Sequence, residues 1–123
     1  MSEFITLDEA IQMTGRYRDQ KGNILKPEYE KSEILAISET FQKASVDAVI
    51  NQEGCAGMRI YFGMSEDLNI HSILIGVNDQ GEDLLPVAGA KMAMGESVLS
   101  SPPIIENAQR CPPTCSFTSP LNS

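Results

Sequence analysis

Apolar positions recur along the chain in two ways, at a period near 3.6 and as short runs rich in β-branched and aromatic residues, and they fall in different stretches. Near the N-terminus Leu7, Ala10, Ile11 and Tyr17 lie three and four apart with Met13 offset from the stripe, the pattern of a helix with one apolar face. Its start is written as a capping box, Thr6-Leu7-Asp8-Glu9. There the Thr6 hydroxyl can accept from the Glu9 amide while the Glu9 carboxylate returns to the Thr6 amide. Asp8 and Glu9 suit the first turn, Arg16 and Arg18 the last. Lys21-Gly22-Asn23 ends the helix. Residues 26–33 are polar and carry Pro27, so they read as a connection.

Ile34-Leu35-Ala36-Ile37 puts four apolar residues in a row, which suits a buried strand, whereas continuation into Phe41 suits a helix; the short strand is the favoured reading. Ser38 is then expected as the N-cap of a second helix over roughly 39–51, with Phe41, Ala44, Ala48 and Val49 on its inner face and Gly54 closing the turn after it. The strand-like runs follow. Met58–Phe62 and Ile70–Val77 are rich in β-branched and aromatic residues, and the polar stretch 63–69 between them fits a hairpin loop, so the two are expected to pair antiparallel. A turn at Asn78–Asp83 leads to a third strand at Leu84–Val87, where Pro86 would suit an edge.

From Ala88 onward glycine, serine and proline interrupt every apolar run, and only Ile104-Ile105 offers another strand. These elements predict an α+β fold: two helices packed on a small antiparallel sheet built around a central hairpin, with an irregular C-terminal tail. The expected organisation is a single α+β domain over residues 1–106 followed by a Cys-Pro-rich tail over 107–123.

Composition narrows the classes of function. With 41% hydrophobic and 21% charged residues among 123, the chain has the make-up of one ordinary folded domain. Nine basic against seventeen acidic residues give a net charge of −8, a field that repels phosphate backbones and anionic lipid, so nucleic acid is not the expected partner. No apolar run reaches the roughly 18–20 residues of a membrane span, and Met1-Ser2-Glu3-Phe4 lacks the start of a secretory signal, so a cytoplasmic address is expected. An odd number of cysteines, three, argues against a secreted disulfide scaffold and for reduced thiols.

Several stretches, Tyr17-Arg18, Gly54–Gly63 with its Arg59-Ile60-Tyr61-Phe62-Gly63 core, Gly76–Asp79, and Cys111-Pro112-Pro113-Thr114-Cys115-Ser116 with Leu121-Asn122, resemble a family of small uncharacterised bacterial proteins, chiefly from Bacteroidota. The resemblance covers most of the chain. It implies one bacterial domain that includes the tail, and it carries over no catalytic or binding residue.

The chemistry-bearing residues are few. Cys111 and Cys115 flank Pro112-Pro113; with Cys55 and His71 they would make the Cys3His donor set that tetrahedral zinc prefers, and iron is the other metal such thiolates hold. Their spacing is wider than the usual C-x2-C knuckle. The same pair could cycle through a disulfide if a tight turn at the prolines brought the two Cα atoms within about 7 Å, or could pin the tail as buried thiols. Cys55, between small residues in Gly54-Cys55-Ala56-Gly57, could be a nucleophile only with a base beside it, and the chain has one histidine. Asp79–Asp83 with Glu66 and Asp67 could hold calcium but lacks EF-hand spacing, and Met92-Ala93-Met94 suits a strand face better than a copper site. Arg16, Arg18 and Arg59 beside tyrosines could grip an anion, or simply pair with acidic neighbours.

No nucleophile, base and orienting group can be named together. The expected function is therefore a non-enzymatic binding or assembly subunit that takes a protein partner or associates with itself, the apolar-flecked segment Leu84–Ile105 supplying the strand added to the partner or to another copy. A small metal-binding protein using Cys55, Cys111 and Cys115 is the alternative.

Overall fold

A computed structural model describes residues 3–30, 33–86, 102–116 and 118–122. The fold is α+β, with two helices and small antiparallel sheets of two and three strands among the described residues. In chain order the elements are α1 (Leu7–Gln20), β1 (Ser38–Thr40), α2 (Lys43–Ile50), β2 (Gly57–Met64), β3 (Ile70–Val77), β4 (Asp83–Leu84) and β5 (Gln109–Cys111). Single 3-10 turns lie at Pro27–Tyr29 and Pro120–Asn122. Among the described residues no helix is long and apolar enough to cross a membrane. The chain divides into two compact units, residues 1–39 with 109–123, and residues 40–108. Of the stretch 107–123 expected as a tail, residues from Gln109 onward fall in the same unit as the N-terminal residues.

In the first unit α1 begins as its sequence dictates. The Glu9 amide donates to the Thr6 hydroxyl at 3.1 Å, and the Thr6 amide donates to the Glu9 carboxylate at 3.4 Å. Lys21 caps its end through a bond from its amide to the Tyr17 carbonyl. The helix lies against the Pro120–Asn122 turn. The apolar run Ile34–Ile37 is not the expected strand but a series of bends that sinks Ile34 into the interior. The strand is the polar triplet after it, β1, which pairs with β5. Ser38 is therefore a strand residue and caps no helix. The reason is long-range: the Ile37 amide donates to the Cys111 carbonyl at 2.7 Å, so residues from the far end of the chain set where pairing starts.

In the second unit α2 starts later than expected, with Gln42 at its N-cap and no side chain capping it. A Lys43–Asp47 ion pair of 2.8 Å one turn apart supports it, and Val49 is fully buried. Such a pair on an exposed helix face contributes only about 0.3–0.5 kcal/mol, so burial of the apolar face is what holds the helix. α2 lies against β2 and β3.

β2 and β3 pair antiparallel along their whole lengths, from Gly57 opposite Val77 to Met64 opposite Ile70. β4 adds to the far side of β3, giving the order β2-β3-β4, with Pro86 just beyond the short edge strand. Ile105 does not begin a strand of its own but makes an isolated bridge to Leu74. Leu74 and Ile75 are almost fully buried, each worth about 1.5–3 kcal/mol of burial. Gly81, at φ 79°, turns the chain from β3 into β4. Gly76 sits at a close approach: a Cβ there would come within 2.5 Å of the Gln52 side-chain Nε2 and 3.1 Å of the Cys55 sulfur, so those side chains would have to shift. The expectations placed on Val87, on Met92-Ala93-Met94 and on the rest of 87–101 lie outside the described residues.

Candidate functional site

Cys111 and Cys115 are joined in a disulfide, with Cα atoms 4.8 Å apart across the tight turn Pro112-Pro113. This corrects the expectation of reduced thiols for that pair. The Thr114 amide closes the turn on the Arg110 carbonyl at 2.9 Å, and Cys111 is fully buried. A sulfur bonded to sulfur offers no thiolate to a metal.

Around this turn the first unit is held by side chains that reach backbone carbonyls. The Arg110 guanidinium donates to the Glu33 carbonyl at 2.8 Å and the Ile34 carbonyl at 3.2 Å, and its Nε lies 3.9 Å from the Glu39 carboxylate. Tyr17 donates its hydroxyl proton to the Ala36 carbonyl, and Arg18 donates to the Leu121 carbonyl. Burial pushes the Tyr17 phenol above its usual range, with Arg110 pulling it down and Glu39 pushing it up. Of the arginines expected beside tyrosines, Arg18 thus holds the chain's own backbone. Thr14, Ile37, Ser38, Ser116, Ser119, Leu121 and Asn122 line a cleft of about 230 Å³ in this unit. Its lining is short hydroxyls, one amide and two aliphatic groups, with no ionisable side chain among them.

Cys55 and His71 belong to the second unit. The Cys55 thiol lies 3.1 Å from the Gly57 carbonyl and packs on the bare face of Gly76. His71 Nδ1 lies 3.7 Å from the Glu106 carboxylate. Of the four residues expected as metal ligands, then, the structure brings Cys111 and Cys115 together and gives Cys55 and His71 other neighbours. Among the described residues no group of three or more His, Cys, Asp or Glu is arranged to hold a metal ion.

The acidic turn has an internal job. The Asn78 side chain accepts from the Gln80 and Glu82 amides at 3.0 and 2.9 Å, which fixes the loop. Asp83 accepts hydrogen bonds from both Arg59 and Tyr61, and Arg59 also donates to the Gly81 carbonyl at 3.1 Å. The Tyr61 hydrogen bond, with the Arg59 guanidinium beside it, holds the Asp83 carboxyl below its ordinary value. The same hydrogen bond raises the Tyr61 phenol. This clasp ties β4 to β2 across β3 and neutralises the one cation on β2.

β2 itself presents the feature that local chemistry does not account for. Met58, Ile60, Phe62 and Met64 alternate along it on one face and stay exposed, at 41%, 48%, 78% and 60%. β2 is also an edge strand among the described residues. Its backbone pairing follows from two neighbours. Ser65 donates to the Asn69 carbonyl, which makes 65 and 69 a bonded pair. Bonded and non-bonded pairs alternate in an antiparallel ladder, so the odd positions of β2 bond β3 and the even ones turn their N–H and C=O outward. Leu74 agrees: it exchanges both bonds with Ile105, on the side of β3 away from β2. The four exposed apolar residues are thus the four whose backbone groups point to the open edge. Period-2 alternation in residues 57–64 was the signal that could have found this row; what it lacked was which strand would be outermost.

No family model, curated protein or solved structure matches this chain.

Proposed function

We propose that the chain is a non-enzymatic binding or assembly subunit that works by adding a protein strand to the open edge of β2. The observation that supports this reading is the coincidence, on one eight-residue edge strand, of outward backbone groups with a row of exposed apolar side chains. Edge strands are ordinarily guarded by lysine, proline or a bulge. β2 carries no lysine or proline, and its one charge is turned to Asp83. An added strand would gain main-chain hydrogen bonds from the edge and affinity from covering the apolar row.

The test is recovery of bound protein by the tagged full-length chain and by an Ile60→Lys/Phe62→Lys variant. Both positions are exposed, so the variant keeps its fold by circular dichroism. The reading expects whatever the wild type retains, another copy or a different protein, to be lost from the variant. Equal retention by both contradicts it.

The cytoplasmic address belongs to the same reading, and the Cys111–Cys115 disulfide weighs against it, since cytosolic thiols are kept reduced. Acid-quenched thiol counting in native cells decides: three free thiols fit the cytoplasm, and Cys55 alone fits an oxidising compartment.

A further inference from the structure

Resting on the reading of β2 as the binding edge, we infer that its occupant is a second copy of this chain, paired antiparallel β2 to β2 across a twofold axis through Tyr61. The sequence of the strand is what points there. Around Tyr61 the outward positions form a near-palindrome, with Ile60 and Phe62 on either side and Met58 and Met64 beyond them. A twofold axis perpendicular to the sheet sets Met58 against the second copy's Met64, and Ile60 against its Phe62. All four outward-facing positions then meet outward-facing positions, so each can exchange both backbone bonds. Directly opposed residues share a face, and the apolar row becomes continuous across the two copies.

The other face fits as well. Arg59 comes opposite the second copy's Gly63, which has no side chain to oppose it. Within the unit a Cβ at Gly63 would lie 2.8 Å from Ile73 Cδ1, the far end of a side chain that would have to shift. With Arg59 already held by Asp83, the seam carries no uncompensated like charges. The result is a continuous six-stranded sheet in the order β4-β3-β2-β2-β3-β4.

Net charge separates this occupant from a different protein. Two copies at −8 each repel at long range, so screening tightens their association, whereas a basic partner of an acidic chain is released by salt.

The register is tested by single cysteines in the full-length Cys55→Ser chain, oxidised mildly and read on non-reducing gels. In the inferred register Tyr61 faces its own copy in a non-bonded pair, with Cα atoms about 4.5 Å apart, within the range of about 4.4–6.8 Å that a disulfide spans. Two copies of position 60 would be offset by two residues, a rise of about 6.8 Å on top of the strand spacing, and out of reach. Tyr61→Cys is therefore expected to give a covalent dimer, with Ile60→Cys at least about tenfold less. The reverse result overturns the register. Because Tyr61→Cys also gives up the bond to Asp83, sedimentation equilibrium on the unmodified chain supplies a second measurement. It expects a dimer whose dissociation constant falls between about 0.01 M and about 0.15 M salt, as the screening length drops from about 30 Å to about 8 Å. A constant that rises with salt overturns the inference. So does a monomer at every concentration; if that monomer still retains a different protein which Ile60→Lys/Phe62→Lys loses, the binding edge stands and the second copy alone fails.

Discussion

The two units of this chain are built by opposite means. Residues 40–108 are held by a ladder: eight register pairs between β2 and β3, a helix laid on them, and the buried side chains of Val49, Leu74 and Ile75. Residues 1–39 with 109–123 have a short two-strand pair, with Ile34 and Cys111 as the buried apolar residues among those described, and rely on tethers. Those tethers are the disulfide and the bonds from Tyr17, Arg18 and Arg110 to distant carbonyls. A ladder spreads its stability over many equivalent bonds and can leave one edge unused, as β2 does. A tethered unit concentrates stability in a few side chains and has no such surplus.

Substitutions ordered by expected size test that contrast. Leu74→Ala removes a buried side chain from the ladder and is expected to cost about 3 kcal/mol, seen in denaturant unfolding and in faster amide exchange along β3. An equal effect confined to α1 would break the distinction. Cys111→Ser with Cys115→Ser opens a five-residue loop, for which chain entropy gives about 2 kcal/mol. That loss should appear in α1 and β5 while the β2–β3 hairpin keeps its protection. Arg110→Leu leaves the Glu33 and Ile34 carbonyls without their donor, a loss of about 1–2 kcal/mol, again in the first unit.

A pH titration sharpens the same contrast at its smallest scale. Asp83 has its carboxyl lowered in the folded state, so its contribution is present above the unfolded value and fades as pH falls through the folded one. Tyr17 and Tyr61 are raised, so theirs is present below the usual phenol value and fades as pH rises past it. Acid should therefore loosen the β4 clasp first, and Asp83→Asn should remove that acid sensitivity. Alkali should touch both units. Nuclear magnetic resonance of the three residues checks both directions.

The ladder was legible in the sequence and the tethers were not. α1 was written in Thr6 and Glu9, and β3 in Ile70–Val77, because caps and runs rich in β-branched residues are local signals. The stretch from Ile34 to Lys43 misled for the opposite reason. Four apolar residues in a row look like a strand from nearby, yet pairing is set by Cys111 more than seventy positions away, which moves the strand onto Ser38–Thr40 and delays α2 to Lys43. The disulfide was open for the same cause, since C-x3-C permits either an extended or a turned Pro-Pro, and only the turn brings the sulfurs together. At β2 the exposed row was visible as alternation. That it lies at the outer edge depends on β4 and Ile105 taking the other side of β3, which no pattern within 57–64 contains.

Residue-resolved amide exchange along β2 tests the central claim most directly. In dilute protein the amides of Arg59, Tyr61 and Gly63, bonded to β3, should exchange slowly, and those of Met58, Ile60, Phe62 and Met64 quickly. Raising the protein concentration should slow the even set and leave the odd set unchanged. Even-numbered amides already slow in dilute monomer would show the edge to be covered, and amides that stay fast at every concentration would show that no second copy ever pairs there; either result contradicts the account.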